Sequence, residues 1–173
     1  MKRAVILYEE INEKILSQNV SILKELWQEI GYEVVVLAVS KNVSPDEYMN
    51  KLVSIKEDFL ITFAMAGFEW RGWMEQVRFN TLAVMQIHIL IGHLPFYDIF
   101  LQKEYGIQSF FFTDSRDIFE NWKEKYPQIP YMGSIPTLYM AEHLTEEEIN
   151  VNRTNFRQML WQVFSFIEKP SVL

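Results

Sequence analysis

The sequence predicts an α/β fold, a mostly parallel sheet with helices on both faces, and three observations predict it. Apolar runs of strand length recur along the chain, as at Arg3 to Tyr8, Tyr32 to Val39 and Phe59 to Met65, and they are near-continuous instead of alternating. Stretches with apolar residues at helical spacing lie between them. Glycine and proline fall at the joints.

Arg3 to Tyr8 reads as a buried strand, and Val20 to Ile30 as a helix with Val20, Leu23, Leu26, Trp27 and Ile30 on one side, capped by Asn19 or Ser17. Gly31 stands where a helix commonly ends in a left-handed residue, and the β-branched run Tyr32 to Val39 forms the second strand. Ser44-Pro45-Asp46-Glu47 has the chemistry of a capped helix start, leading through Tyr48, Leu52 and Ile55 to a strand at Phe59. Val84 to Ile91 is the next strand, Phe96 to Tyr105 a helix closed by Gly106, and Gln108 to Thr113 a further strand. Ser115 or Asp114 caps a helix over Asp117 to Tyr126, and an extended piece follows at Ile129 to Ile135. Thr145-Glu146-Glu147-Glu148 forms a capping box for a closing helix over 145–168, with Ile149, Phe156, Leu160, Val163 and Ile167 on one stripe. The expectation is one three-layer Rossmann-like domain over residues 1–173, with five to six strands.

Sixteen basic against twenty-three acidic residues give a net charge of -7, which repels phosphate backbones and anionic lipid surfaces. Nucleic-acid and membrane-surface roles are not expected. Ala4 to Tyr8 is too short and too soon charged for a secretory signal, and Phe59 to Phe68 is too short to cross a bilayer. With no cysteine, disulfides, thiolate metal sites and cysteine nucleophiles are excluded. Cytoplasm is the default compartment.

In open parallel sheets ligands bind outside the carboxyl ends of the strands. The turn after the first strand, Glu9 to Lys14, has no glycine and three carboxylates, so a dinucleotide or other phosphate cofactor is not expected. Three histidines without close ligand spacing argue against a metal site. His88 lies within a strand and reads as a packed core residue, whereas His93, just past the strand end, stands where an imidazole can act as a general base. After the third strand comes Ala66-Gly67-Phe68-Glu69-Trp70-Arg71-Gly72-Trp73. There Gly67 frees the backbone, Trp70 offers a stacking face, and Glu69 and Arg71 can hydrogen-bond hydroxyls or phosphate. The same stretch also reads as a loop whose tryptophans merely cover the sheet edge. Asp114 and Arg116 follow the fifth strand as further ligand-binding candidates, with His93 and then Glu69 as catalytic ones.

Gly31 to Val34, Asp58 to Phe63 through Gly67-Phe68, Ile87 to Pro95, and Phe110 to Asp117 through Pro130-Tyr131-Met132 together resemble the amino-terminal half of spore-maturation-type glycosyltransferase-like proteins of bacteria, which have the two-domain GT-B architecture. The resemblance implies a sugar or nucleotide-sugar ligand and transfer to an acceptor. It also implies that most nucleotide-sugar contacts come from a second domain, which these residues are expected to lack. Where the family favours an acidic residue before Pro95, this chain has His93-Leu94. A second expectation is a non-catalytic module that docks another protein or a second copy, because Phe156, Trp161, Phe164 and Phe166 occupy more than one face of the closing helix.

Overall fold

Strands covered on both faces read as near-continuous apolar runs, and β-branched and aromatic residues dominate the strands of this chain. The computed structural model describes residues 1–66, 84–92, 97–135 and 137–168. Within them run β1 (Arg3–Glu9), α1 (Glu13–Glu29), β2 (Glu33–Val39), α2 (Pro45–Ile55) and β3 (Phe59–Phe63). They continue with β4 (Met85–Leu90), α3 (Tyr97–Leu101), β5 (Ser109–Thr113), α4 (Arg116–Lys125), β6 (Tyr131–Ser134) and α5 (Glu146–Glu168). The strands form one sheet in the order β2-β1-β3-β4-β5-β6, with every neighbouring pair parallel. It is an α/β three-layer fold of the Rossmann-like kind.

The period of two along each strand divides the core. Ala4, Ile6, Phe59, Ile61, Phe63, Ile87, Ile89, Phe110 and Phe112 face one side and pack with α1 and α5 through Leu23, Trp27, Phe156 and Val163. Val5, Leu7 and Leu60 face the other and meet Tyr48 and Leu52 of α2, while Leu90 and Phe111 meet Tyr97, Leu101 and Trp122 of α3 and α4. The switch of side between α1 and α2 follows from right-handed crossovers, since the chain leaves β1 in one direction to reach β2 and returns past it to reach β3.

Most element ends follow the expected caps. Ser44 accepts from the Glu47 N–H, Ser115 from the Ile118 N–H, and Thr145 and Glu148 close a reciprocal box. Gly31 has φ +91 after α1. The start of α1 is different: the helix begins at Glu13, so neither Ser17 nor Asn19 caps it, and Ile30 ends up about half exposed. Asn19 is instead fully buried, donating to the Tyr139 carbonyl at 3.0 Å and accepting from the Asn152 amide at 2.7 Å. Asn152 in turn accepts from the Tyr139 N–H at 2.8 Å and donates to the Tyr139 carbonyl at 2.9 Å. This network fixes the segment after β6 against α1 and α5. Helix α3 is also shorter than the expected Phe96 to Tyr105, because the chain turns back and Tyr105 donates to the Phe100 carbonyl at 2.7 Å.

The aromatic residues of α5 are mostly satisfied within the fold. Phe156 is buried against Phe63, Phe164 packs on Trp27 and Phe59, and Phe166 meets Phe110 and Tyr131 edge-on. Trp161 alone of the four lies largely in solvent, at 72% exposure.

Two substitutions test this packing by chemical denaturation. A Cβ at Gly133 would stand 2.8 Å from Cε1 of Phe112, a ring with no room to retreat, so Gly133→Ala is expected to cost about 1–3 kcal/mol. Asn152→Ala takes away the partner of the Asn19 side-chain oxygen and of the Tyr139 N–H, while the Asn19 amide keeps the Tyr139 carbonyl, and is expected to cost about 1–3 kcal/mol.

Candidate functional site

Because all strands run the same way, every segment leaving a strand's carboxyl end emerges on one rim. Strand order reverses between β1 and β3, which makes their junction the switch point where such sheets open a crevice. The described rim comprises Tyr8 to Asn12 after β1, Ala64 to Ala66 after β3, Ile91 and Gly92 after β4, and Asp114 to Arg116 after β5.

At the switch point β3 ends in an unusual turn. Ala64 and Met65 have φ of 51 and 56, the left-handed region that L residues avoid at about 1–2 kcal/mol each. The Ala66 N–H reaches the Phe63 carbonyl at 3.0 Å, and the Ala64 N–H is drawn onto the Ile89 carbonyl of β4 at 2.8 Å. Burial of the Met65 side chain among Leu90, Tyr97 and Phe111 holds the strained conformation. Strain of this kind persists where surrounding structure over-determines the backbone, and here it reverses the chain immediately before Gly67.

The end of β4 is clamped from two sides. The Gly92 N–H donates to both carboxylate oxygens of Asp114 at 3.1 Å, with Gly92 at φ +66. The Tyr97 hydroxyl accepts from the Ile91 N–H at 3.2 Å and donates to the Ile91 carbonyl at 3.0 Å. Burial pushes the Tyr97 phenol well above its ordinary range; the Ile91 hydrogen bond opposes that shift and the Asp114 charge adds to it. A neutral hydroxyl able to donate and accept at once is therefore kept at this strand end. Arg116, first residue of α4, is exposed and forms no ion pair among the described residues.

The turn after β1 is acidic, with Glu10 and Glu13 exposed and Tyr8 pointing its hydroxyl toward Glu13 at 3.5 Å. Burial, reinforced by Glu13, raises the Tyr8 phenol above its usual value. Where a dinucleotide fold offers bare N–H groups to a pyrophosphate, this rim offers carboxylates.

Of the candidate residues, Asp114 and Arg116 lie on the rim. Gly67, Glu69, Trp70, Arg71 and His93 fall outside the described residues, although Gly67 follows Ala66 and His93 follows Gly92 by one peptide bond. His88 is the packed core residue expected of it: Nδ1 is 2.7 Å from the Thr62 hydroxyl, Nε2 is 3.2 Å from Gln86 Oε1, and its ring lies against Phe111. Among the described residues no group of three or more His, Cys, Asp and Glu is placed to hold a metal ion, and no helix is long and apolar enough to cross a membrane. Sequence reasoning missed Tyr97 and the Ala64-Met65 turn. A tyrosine six residues past a strand carries no signal for a strand-end clamp, and Ala-Met has none of the Asn or Gly that marks left-handed backbone.

Removing the Asp114 carboxylate should release the β4 end without unfolding the sheet. In hydrogen exchange, the Gly92 amide is expected to lose protection in Asp114→Ala and to retain part of it in Asp114→Asn, which keeps one acceptor oxygen. No family model matches the chain. No curated protein matches it either.

Proposed function

We propose that the chain is a glycosyltransferase-like domain that binds a sugar, or another polar acceptor free of phosphate, on the rim formed after β3, β4 and β5. The observation that carries this reading is the Asp114 to Gly92 clamp, which fixes the backbone one residue before His93. In this reading His93 takes the proton of an acceptor hydroxyl, which requires only hydrogen-bond reach of that oxygen. Trp70 supplies an apolar face for the ring, Arg71 and Glu69 bind its hydroxyls, and Gly67 lets the backbone approach. Asp114 acts by positioning, since its two oxygens are engaged by the Gly92 amide.

The acidic first turn supports a neutral acceptor over a nucleotide-sugar donor, because Glu10 and Glu13 face any phosphate brought to the switch point with like charge. A second reading, the protein-interaction module, is favoured by Trp161 and by the exposed part of Phe166, whereas Phe156 is buried and Phe164 packs on Trp27 and Phe59.

Calorimetry of the full chain against neutral monosaccharides, short oligosaccharides, amino sugars and nucleoside-diphosphate sugars tests the proposal. A phosphate-free sugar is expected to bind, with Trp70→Ala weakening it about 2–10-fold as stacking is lost. Absence of heat with every member, in protein shown to be folded, contradicts the reading.

A further inference from the structure

Strand β2 forms one border of the sheet, and its seven residues Glu33 to Val39 contain no proline, no glycine and no charge after the first position. The opposite border, β6, is only four residues long and has Gly133 within it and Pro130 before it, features that blunt an edge. The Glu33 N–H donates to the Lys2 carbonyl beside β1, so by the period of two the odd residues of β2 turn their backbone groups inward to β1. The N–H and C=O groups of Val34, Val36 and Ala38 therefore point outward. The Tyr48 hydroxyl takes the last of that row, donating to the Ala38 carbonyl at 2.7 Å and accepting from the Ser40 N–H at 2.8 Å. For the N–H and C=O of Val34 and Val36 and the N–H of Ala38, no partner on the outer side occurs among the described residues.

The side chains of β2 are committed to the chain's own core, Val34, Val36 and Ala38 to one face and Val35, Leu37 and Val39 to the other. What remains available is the backbone border, and a strand is what satisfies a border. We propose that the outer border of β2 pairs with β2 of a second copy of this chain, antiparallel and centred on Val36, to join two sheets into one. Three features select that occupant. Val36 is the midpoint of Glu33 to Val39 and points outward, so a two-fold axis there matches the full strand length and sets Val34 against Ala38 of the other copy. The Ala38 carbonyl keeps a lone pair beside the Tyr48 bond, and Tyr48 closes the border just past Ala38, where the opposing strand also ends. The charges at the strand ends are opposite, with Glu33 at the start, where one carboxylate oxygen meets Arg3 Nε at 2.7 Å and the side chain stays part exposed, and the exposed Lys41 just beyond the finish. Antiparallel pairing brings Glu33 of each copy diagonally to Lys41 of the other, whereas parallel pairing places like charges together.

Sedimentation velocity from low micromolar to submillimolar protein, at physiological ionic strength to screen the net charge of -7, gives the first readout. A monomer–dimer equilibrium is expected. In hydrogen exchange the amides of Val34, Val36 and Ala38 should slow as the dimer fills, while those of Val35 and Leu37, bonded to β1, stay protected throughout. Val36→Pro removes one outward N–H and leaves the β1 ladder intact, and it should abolish dimerisation in protein that retains its circular dichroism. Should that variant not fold, Lys41→Glu, an exposed change outside the strand, is expected to weaken the dimer about three-fold. Trp161→Ser should leave it unchanged. A monomer at every concentration overturns the proposal, as does a dimer whose Val34, Val36 and Ala38 amides exchange freely or one that Trp161→Ser dissolves.

Discussion

Parallel pairing of all six strands is the constraint from which the rest of the molecule follows. A parallel neighbour can be reached only by crossing over a face of the sheet, so both faces are covered and the strands become predominantly apolar. That is why Phe110, Phe111 and Phe112 can follow one another, alternate rings entering opposite layers of the core. The same pairing sends every strand-to-helix turn to one border. Chemistry-bearing residues far apart in sequence thus share a rim, and the order of strands reverses beside β1.

Within this frame four polar devices sit where the backbone would otherwise be underdetermined. Tyr48 and Tyr97 repeat one device: a hydroxyl from the following helix bridges an amide and a carbonyl at the end of β2 and of β4. The Asn19 and Asn152 pair does the same for the segment after β6, and Asp114 for the turn at Gly92. Each such group is satisfied, which is what makes a buried polar atom stabilising in place of costly. The left-handed Ala64-Met65 turn is the counterpart, a local cost maintained by packing next to the switch point.

The architecture was legible because its signals are local and redundant. Runs such as Tyr32 to Val39, the Ser44-Pro45 start and the Thr145 to Glu148 box each state an element and its end, and the structure agrees with all three. What escaped depends on partners distant in sequence. Asn19 looks like a helix cap to its neighbours, but it serves Tyr139 and Asn152, 120 and 133 residues away. The spacing of aromatic residues along α5 likewise does not say which of them reach the sheet: Phe164 packs on Phe59 and Phe166 meets Phe110, while Trp161 stays largely in solvent. The strand pattern puts Asp114 and Arg116 just past the carboxyl end of β5, as the structure has them, while the bond from Gly92 to Asp114 is readable only from the fold.

The central claim is that the turns after β3, β4 and β5 share one border of the sheet. The absence of cysteine makes it directly measurable, since a single cysteine introduced at the exposed Asp117 carries a nitroxide at a unique place. The account predicts paramagnetic broadening that is strongest at the amides of the Gly92 side of the sheet, with Gly92 broadened far more than Met85 and Gln108 at the opposite border. Broadening at Met85 and Gln108 that spares Gly92 would contradict it.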